Sequence, residues 1–83
     1  MRIKSNIAIS DNGFIFNPAS GESFMVNPVG LEMLNLLRKG HSQEQIVVSI
    51  QEDYQIEASV IEKDLQDFIE MIRQYRLLQQ DDE

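Results

Sequence analysis

The run Ser23-Phe24-Met25-Val26-Asn27-Pro28-Val29-Gly30-Leu31-Glu32-Met33-Leu34-Asn35-Leu36-Leu37 constrains the fold of this chain more than any other. A β-favouring segment meets an Asn-Pro pair and becomes helical within one residue. Asn is a preferred helix N-cap, and Pro, with φ already near the helical value, suits the first helical position. No loop fits into such a joint. The direction of the strand is therefore coupled to the helix behind it.

The residues upstream predict two more strands. Ile3, Ser5, Ile7 and Ile9 alternate with Lys4, Asn6, Ala8 and Ser10, a period of two that places a mostly apolar face inward and predicts a strand over 3–10. Asp11-Asn12-Gly13 is a turn signal, and Phe14-Ile15-Phe16 returns as the second strand of a hairpin. After the Asn17-Pro18-Ala19-Ser20-Gly21 turn, Glu22 to Val26 forms the third strand, with Phe24 and Val26 on one face and Ser23, Met25 and Asn27 on the other. Short turns predict an antiparallel meander.

Downstream the period changes to that of helices. The first helix starts at Pro28, carries a broad stripe of Leu31, Met33, Leu34, Leu36 and Leu37, and stops at Arg38-Lys39-Gly40. Ser42 with Gln45 forms a capping box for a second helix, whose inward face is Ile46, Val47 and Ile50. Ser59 with Glu62 repeats that signature and predicts the start of the third helix, with Ile61, Leu65, Phe68, Ile69 and Ile72 at helical spacing up to Tyr75 or Arg76. Strands followed by helices read as α+β, and the capped pair of helices with a small sheet gives a winged helix-turn-helix-like domain. The expected organisation is one domain over residues 1–78 and an acidic C-terminal tail over 79–83.

Several classes of function are excluded by what the chain lacks. Eighty-three residues bury only about 60–65% of their unfolded surface, leaving little core for an enclosed active site. His41 is the only histidine, it lies in a loop between two caps, and there is no cysteine, so neither a zinc cluster nor thiolate chemistry is available. No phosphate loop or nucleophile motif occurs. The expectation is a protein that is not an enzyme, with no metal and no cofactor. Recognition helices of DNA-binding proteins surround base-reading residues with Lys and Arg. Here the first turns of the third helix carry Glu62, Asp64 and Asp67 against Lys63, and the net charge is −7. Winged-helix DNA binding is thus an alternative that the charge opposes. No apolar run is long enough for a membrane span, Met1 to Ser5 lead into no signal peptide, and a cytoplasmic location is the default for a cysteine-free chain.

The ordered features Phe24-Met25-Val26-Asn27-Pro28-Val29-Gly30, Met33-Leu34-Asn35-Leu36-Leu37, Gly40-His41-Ser42 with Gln45-Ile46, Tyr54, Asp64-Leu65-Gln66-Asp67-Phe68-Ile69 and Leu77-Leu78 resemble the PqqD family. These small domains, also called RiPP recognition elements, act as peptide chaperones in natural-product biosynthesis, PQQ biosynthesis included. The resemblance covers residues from about Ile7 to Leu78, with two departures. Val29 stands where the family tends to have Thr, and Arg76 stands where a Gly often precedes the final aliphatic pair. The resemblance implies binding of the leader part of a precursor peptide and its delivery to a modifying enzyme, often a radical SAM protein. It also implies that the leader lies as an added strand beside the third strand, over a groove walled by the third helix.

The residues point the same way. A meander in chain order leaves one side of the third strand unpaired, with no lysine or inward charge to guard it. Backbone groups of either Ser23, Met25 and Asn27 or Phe24 and Val26 would hold a peptide there. Asp64, Phe68, Met71 and Tyr75 form a neighbouring helical stripe suited to a groove wall. The candidate peptide-binding residues are therefore Ser23, Phe24, Met25, Val26, Asn27, Asp64, Phe68, Met71 and Tyr75, with Asp64 and Asp67 favouring a leader that carries Lys or Arg. Ordinary boundary packing is the competing reading for Met71 and Tyr75, and homodimerisation through the same free strand competes for the edge.

Overall fold

The computed structural model describes residues 2–79, and the acidic Asp81-Asp82-Glu83 lies outside the described residues. Among the described residues, three strands precede three helices: β1 (Ala8–Ile9), β2 (Phe14–Asn17), β3 (Glu22–Met25), α1 (Pro28–Arg38), α2 (Gln43–Tyr54) and α3 (Ala58–Gln74). The sheet is antiparallel in the order β1-β2-β3, as the short turns require.

The first strand is much shorter than its alternation predicts. Ala8 pairs with Phe16, and carrying that register back two residues would set Asn6 opposite Pro18, which has no N–H and lies in a turn. The chain therefore leaves the sheet and turns at Ser5-Asn6. Its earlier backbone groups find partners at the other end of the molecule. Ile3 bridges Leu78, Lys4 N–H donates to Leu77 C=O at 2.8 Å, and Gln79 N–H donates to Arg2 C=O at 2.7 Å. Ile3 and Ile7 are buried as the pattern expects, but Ser5, read as inward, is exposed.

Gly13 holds the hairpin and the end of β3 together. Its φ is +93°, and its C=O accepts from Val26 N–H at 2.9 Å. A Cβ here would lie 2.5 Å from Val26 O, so only glycine fits.

The Asn27-Pro28 joint forms as predicted. Asn27 is extended, its Oδ1 accepts from Gly30 N–H at 2.7 Å, and Pro28 opens α1. Gly40 follows the end of this helix with φ +91°. The Ser42–Gln45 capping box of α2 is complete, with bonds of 3.1 and 2.8 Å. The second expected capping box is not. The N-cap of α3 is Glu57, which makes no side-chain capping bond, and Ser59 already lies inside the helix. Ile56 and Ala58 pack against the core and draw the helix start forward. A residue in helical conformation cannot serve as the extended N-cap, so the Ser59–Glu62 signature has no role here. α3 ends at Gln74, and Arg76 adopts φ +61°, at the position where the family resemblance leads one to expect glycine.

One core joins the layers. Ile15 contributes from the sheet, Leu34 from α1, Ile46 and Ile50 from α2, and Ile61 and Ile72 from α3, all essentially without exposure. Each such side chain contributes about 1.5–3 kcal/mol relative to remaining exposed. Leu77 is fully buried too, so the final aliphatic pair packs. The opposite face of the sheet stays open, with Phe14, Phe16 and Met25 at 43, 36 and 61% exposure.

Candidate peptide-binding groove

β3 pairs with β2 on one side and with nothing among the described residues on the other. Its bonding direction follows from a single contact. Val26 N–H points at Gly13 on the β2 side, and the pairing Ile15 with Phe24 continues the same register. Backbone groups alternate along a strand, so Phe24 faces β2, whereas the N–H and C=O of Ser23 and Met25 face the open edge. Of the two sets left open by the sequence, Ser23 and Met25 are the outward one. Their side chains lie on the exposed face of the sheet, while Phe24 and Val26 are half-buried against the core.

Beyond the C-terminal end of β3, a groove of about 490 Å³ opens between the first turns of α1 and the middle of α3. Asn27, Asp64, Phe68 and Met71, all candidates from the sequence, line it. Asn27 has its side-chain oxygen engaged as the α1 cap, so its part in the groove is first to hold that helix end in place. Tyr75 does not line the groove. Its ring stacks on Phe24 with centroids 4.4 Å apart and planes 22° from parallel, a contact that fastens β3 to the end of α3 and is worth about 0.5–1.5 kcal/mol beyond the buried area.

Gly30 sets how closely the groove walls approach. An added Cβ would meet Asn27 Oδ1 at 3.2 Å, the Phe68 ring at 3.3 Å and Val26 Cβ at 3.3 Å. Without one, the Phe68 ring lies over the first turn of α1. Val29, Met33 and Ile56 also line the groove, though none was a candidate from sequence. Val29 and Met33 share a face of α1 four residues apart, a signal that could have been read. Ile56 sits in the α2–α3 connection and gives no periodic signal.

The rim is acidic. Asp67 accepts from Lys63 Nζ at 3.2 Å in an exposed pair, of the kind that contributes little. Asp64 makes no ion pair among the described residues and is the more available charge. His41 is exposed, with Nδ1 3.3 Å from Leu36 C=O, and no group of three metal-ligating side chains forms among the described residues. No helix among them is long and apolar enough to cross a membrane.

A short antiparallel sheet with an open edge, followed by a helix-turn-helix that walls a groove beside that edge, defines a small winged-helix-like domain built around an accessible strand. The chain belongs to the PqqD family, described as coenzyme PQQ synthesis protein D, which matches residues 13–78. Among solved structures it is similar to TbiB1 in complex with the TbiA(beta) leader peptide, with 27% identity, a TM-score of 0.85 and the full length of both chains covered. It is also similar in fold to a lasso peptide synthetase B1 complexed with the leader peptide, with 21% identity and a TM-score of 0.78 over 89% of this chain and 91% of the other. No curated protein gives a significant match.

Proposed function

We propose that this protein binds the leader of a ribosomally made precursor peptide as an added strand on β3 and presents it to a modifying enzyme. The observation that carries the reading is the outward backbone of Ser23 and Met25 on an unpaired edge that leads into the Phe68–Met71 groove. Family membership supports it, as does the likeness to two proteins whose structures contain a bound leader peptide.

The energetics divide the work between edge and groove. Each backbone hydrogen bond contributes only about 0.5–1.5 kcal/mol net, which the ordering of a flexible peptide largely offsets. Alternate residues of the added strand lie on the inner side of the sheet, next to Phe24 and Val26. Apolar side chains from that set enter the groove over Phe68 and Met71 and supply the remaining affinity. Asp64 favours a Lys or Arg in the adjoining part of the leader.

No bond is made or broken by this protein itself. Catalysis belongs to the partner enzyme, a radical SAM protein being one form that the family resemblance implies, and the complex acts in the cytoplasm. The working unit is the single domain through Leu78, with the acidic residues beyond it as a solubilising tail.

The test is an amide NMR titration of the full chain with leader peptides encoded beside it, together with a mass measurement on the free protein. The expected result is a monomer whose shifts concentrate on residues 23–27 and on Asp64 to Tyr75. Absence of shifts, with a dimer formed through β3, would assign the edge to self-association and overturn the reading.

A further inference from the structure

A second groove, of about 640 Å³, runs between α2 and α3 on the side of α3 away from Phe68 and Met71. Val48, 54% exposed, and the half-buried Ala58 present its apolar surface over a floor of buried Val47 and Leu65, and Gln43, Gln51 and Gln66 line it as well. Gln66 Nε2 donates to Gln43 Oε1 at 2.8 Å and ties the two helices together at one end. The charged residues lining this groove are Glu44 and Glu62, and Glu52 joins Glu44 around Val48 on the outer face of α2. Among the described residues, no Lys, Arg or His lines either part. The nearest cation along α3, Lys63, is engaged by Asp67 on the leader side.

A groove with an apolar floor between two packed helices accepts a third helix at ordinary interaxial spacing. Its rim decides which kind. A second copy of this chain, with net charge −7, would bring carboxylates against carboxylates. We propose that the α2–α3 groove docks a cationic amphipathic helix of a partner protein, with aliphatic side chains against Val48 and Ala58 and Lys or Arg at Glu44 and Glu62. α3 separates this surface from the β3 edge, so a leader peptide and the partner helix bind together. The inference does not depend on the leader reading, because the two sites share no lining residue.

The experiment titrates the isotope-labelled full chain with a synthetic amphipathic helix carrying Leu on one face and Lys on the other, and with its Glu-for-Lys counterpart. Saturable amide shifts are expected on Val47, Val48, Gln51, Glu62 and Gln66, with Ser23 to Met25 unmoved and no binding of the Glu peptide. Glu44→Lys with Glu62→Lys should weaken binding about tenfold. Glu44→Gln with Glu62→Gln provides a milder pair should charge reversal disturb folding, and should weaken binding in the same direction. Unsaturable shifts scattered over Asp11, Glu22 and Asp53 would reduce the effect to general attraction and overturn the proposal. So would groove binding that either pair leaves unchanged, or a dimer of the free protein that Val48→Asp dissociates, which would make a second copy the occupant.

Discussion

Met25→Pro separates strand addition from every other way of binding a peptide on this surface. Proline removes the N–H of residue 25 and leaves the rest of the backbone in place. Because Val26 N–H is the group that reaches Gly13, the Met25 N–H lies outside the β2 ladder and faces the edge. Proline is tolerated at edge positions for that reason, and the lost side chain is 61% exposed, so the fold should lose less than about 1 kcal/mol. Peptide binding should suffer more. One net hydrogen bond is lost and its carbonyl partner is left unsatisfied, together about 1.5–3 kcal/mol, or roughly ten- to hundredfold in Kd. Calorimetric titration with a leader peptide measures the affinity, and urea denaturation measures the fold. Met25→Ala keeps the N–H and should bind within a few-fold of the parent. A folded Met25→Pro protein with the parent's affinity would refute the argument, since no peptide could then be using that N–H.

Phe68→Ala should weaken binding and stability together, because the ring both lines the groove and packs on Gly30, whereas Met71→Glu should reduce affinity with little loss of fold; normal affinity in folded Met71→Glu would remove that side chain from the site. Arg76→Gly should stabilise the protein by about 0.5–1 kcal/mol in urea denaturation, because relief of a left-handed side-chain residue outweighs the extra freedom glycine gives the unfolded chain. Glu32 is held above its usual 4.5 by partial burial and then by the neighbouring Asp53, against the nearby Tyr54 hydroxyl, which works the other way. A raised carboxyl stabilises the fold at low pH and loses that contribution as pH rises through the raised value, so Glu32→Gln should be more stable than the parent at pH 7 and converge with it in acid. A stability difference between the two proteins that does not change with pH would refute this.

The local signals in the sequence decided the order of the elements and the joint between strand and helix. Asn27-Pro28, Ser42 with Gln45, and the turns at Asn12-Gly13 and Asn17-Pro18 act over three or four residues, and those caps and turns stand where their chemistry puts them. Helical periodicity likewise marked Ile61, Leu65, Ile69 and Ile72 as the buried side of α3. Ser59 shows the limit of such signals, because packing of Ile56 and Ala58 moved the helix start past its cap. The extent of β1 was equally beyond local reading, since a strand continues only while a partner remains opposite, and that partner turns away at Pro18. The same applies to the site. The sequence could name Ser23 to Asn27 and Asp64 to Tyr75, yet the outward set follows only from the pairing of β3 with β2. The stack of Phe24 on Tyr75, the closure of Arg2 to Lys4 on Leu77 to Gln79, and the contribution of Ile56 to the groove are contacts between distant parts of the chain. Propensity is a property of neighbours along the sequence, whereas registers, stacks and grooves are set by which surfaces exclude water together, and that was decided by the tertiary fold.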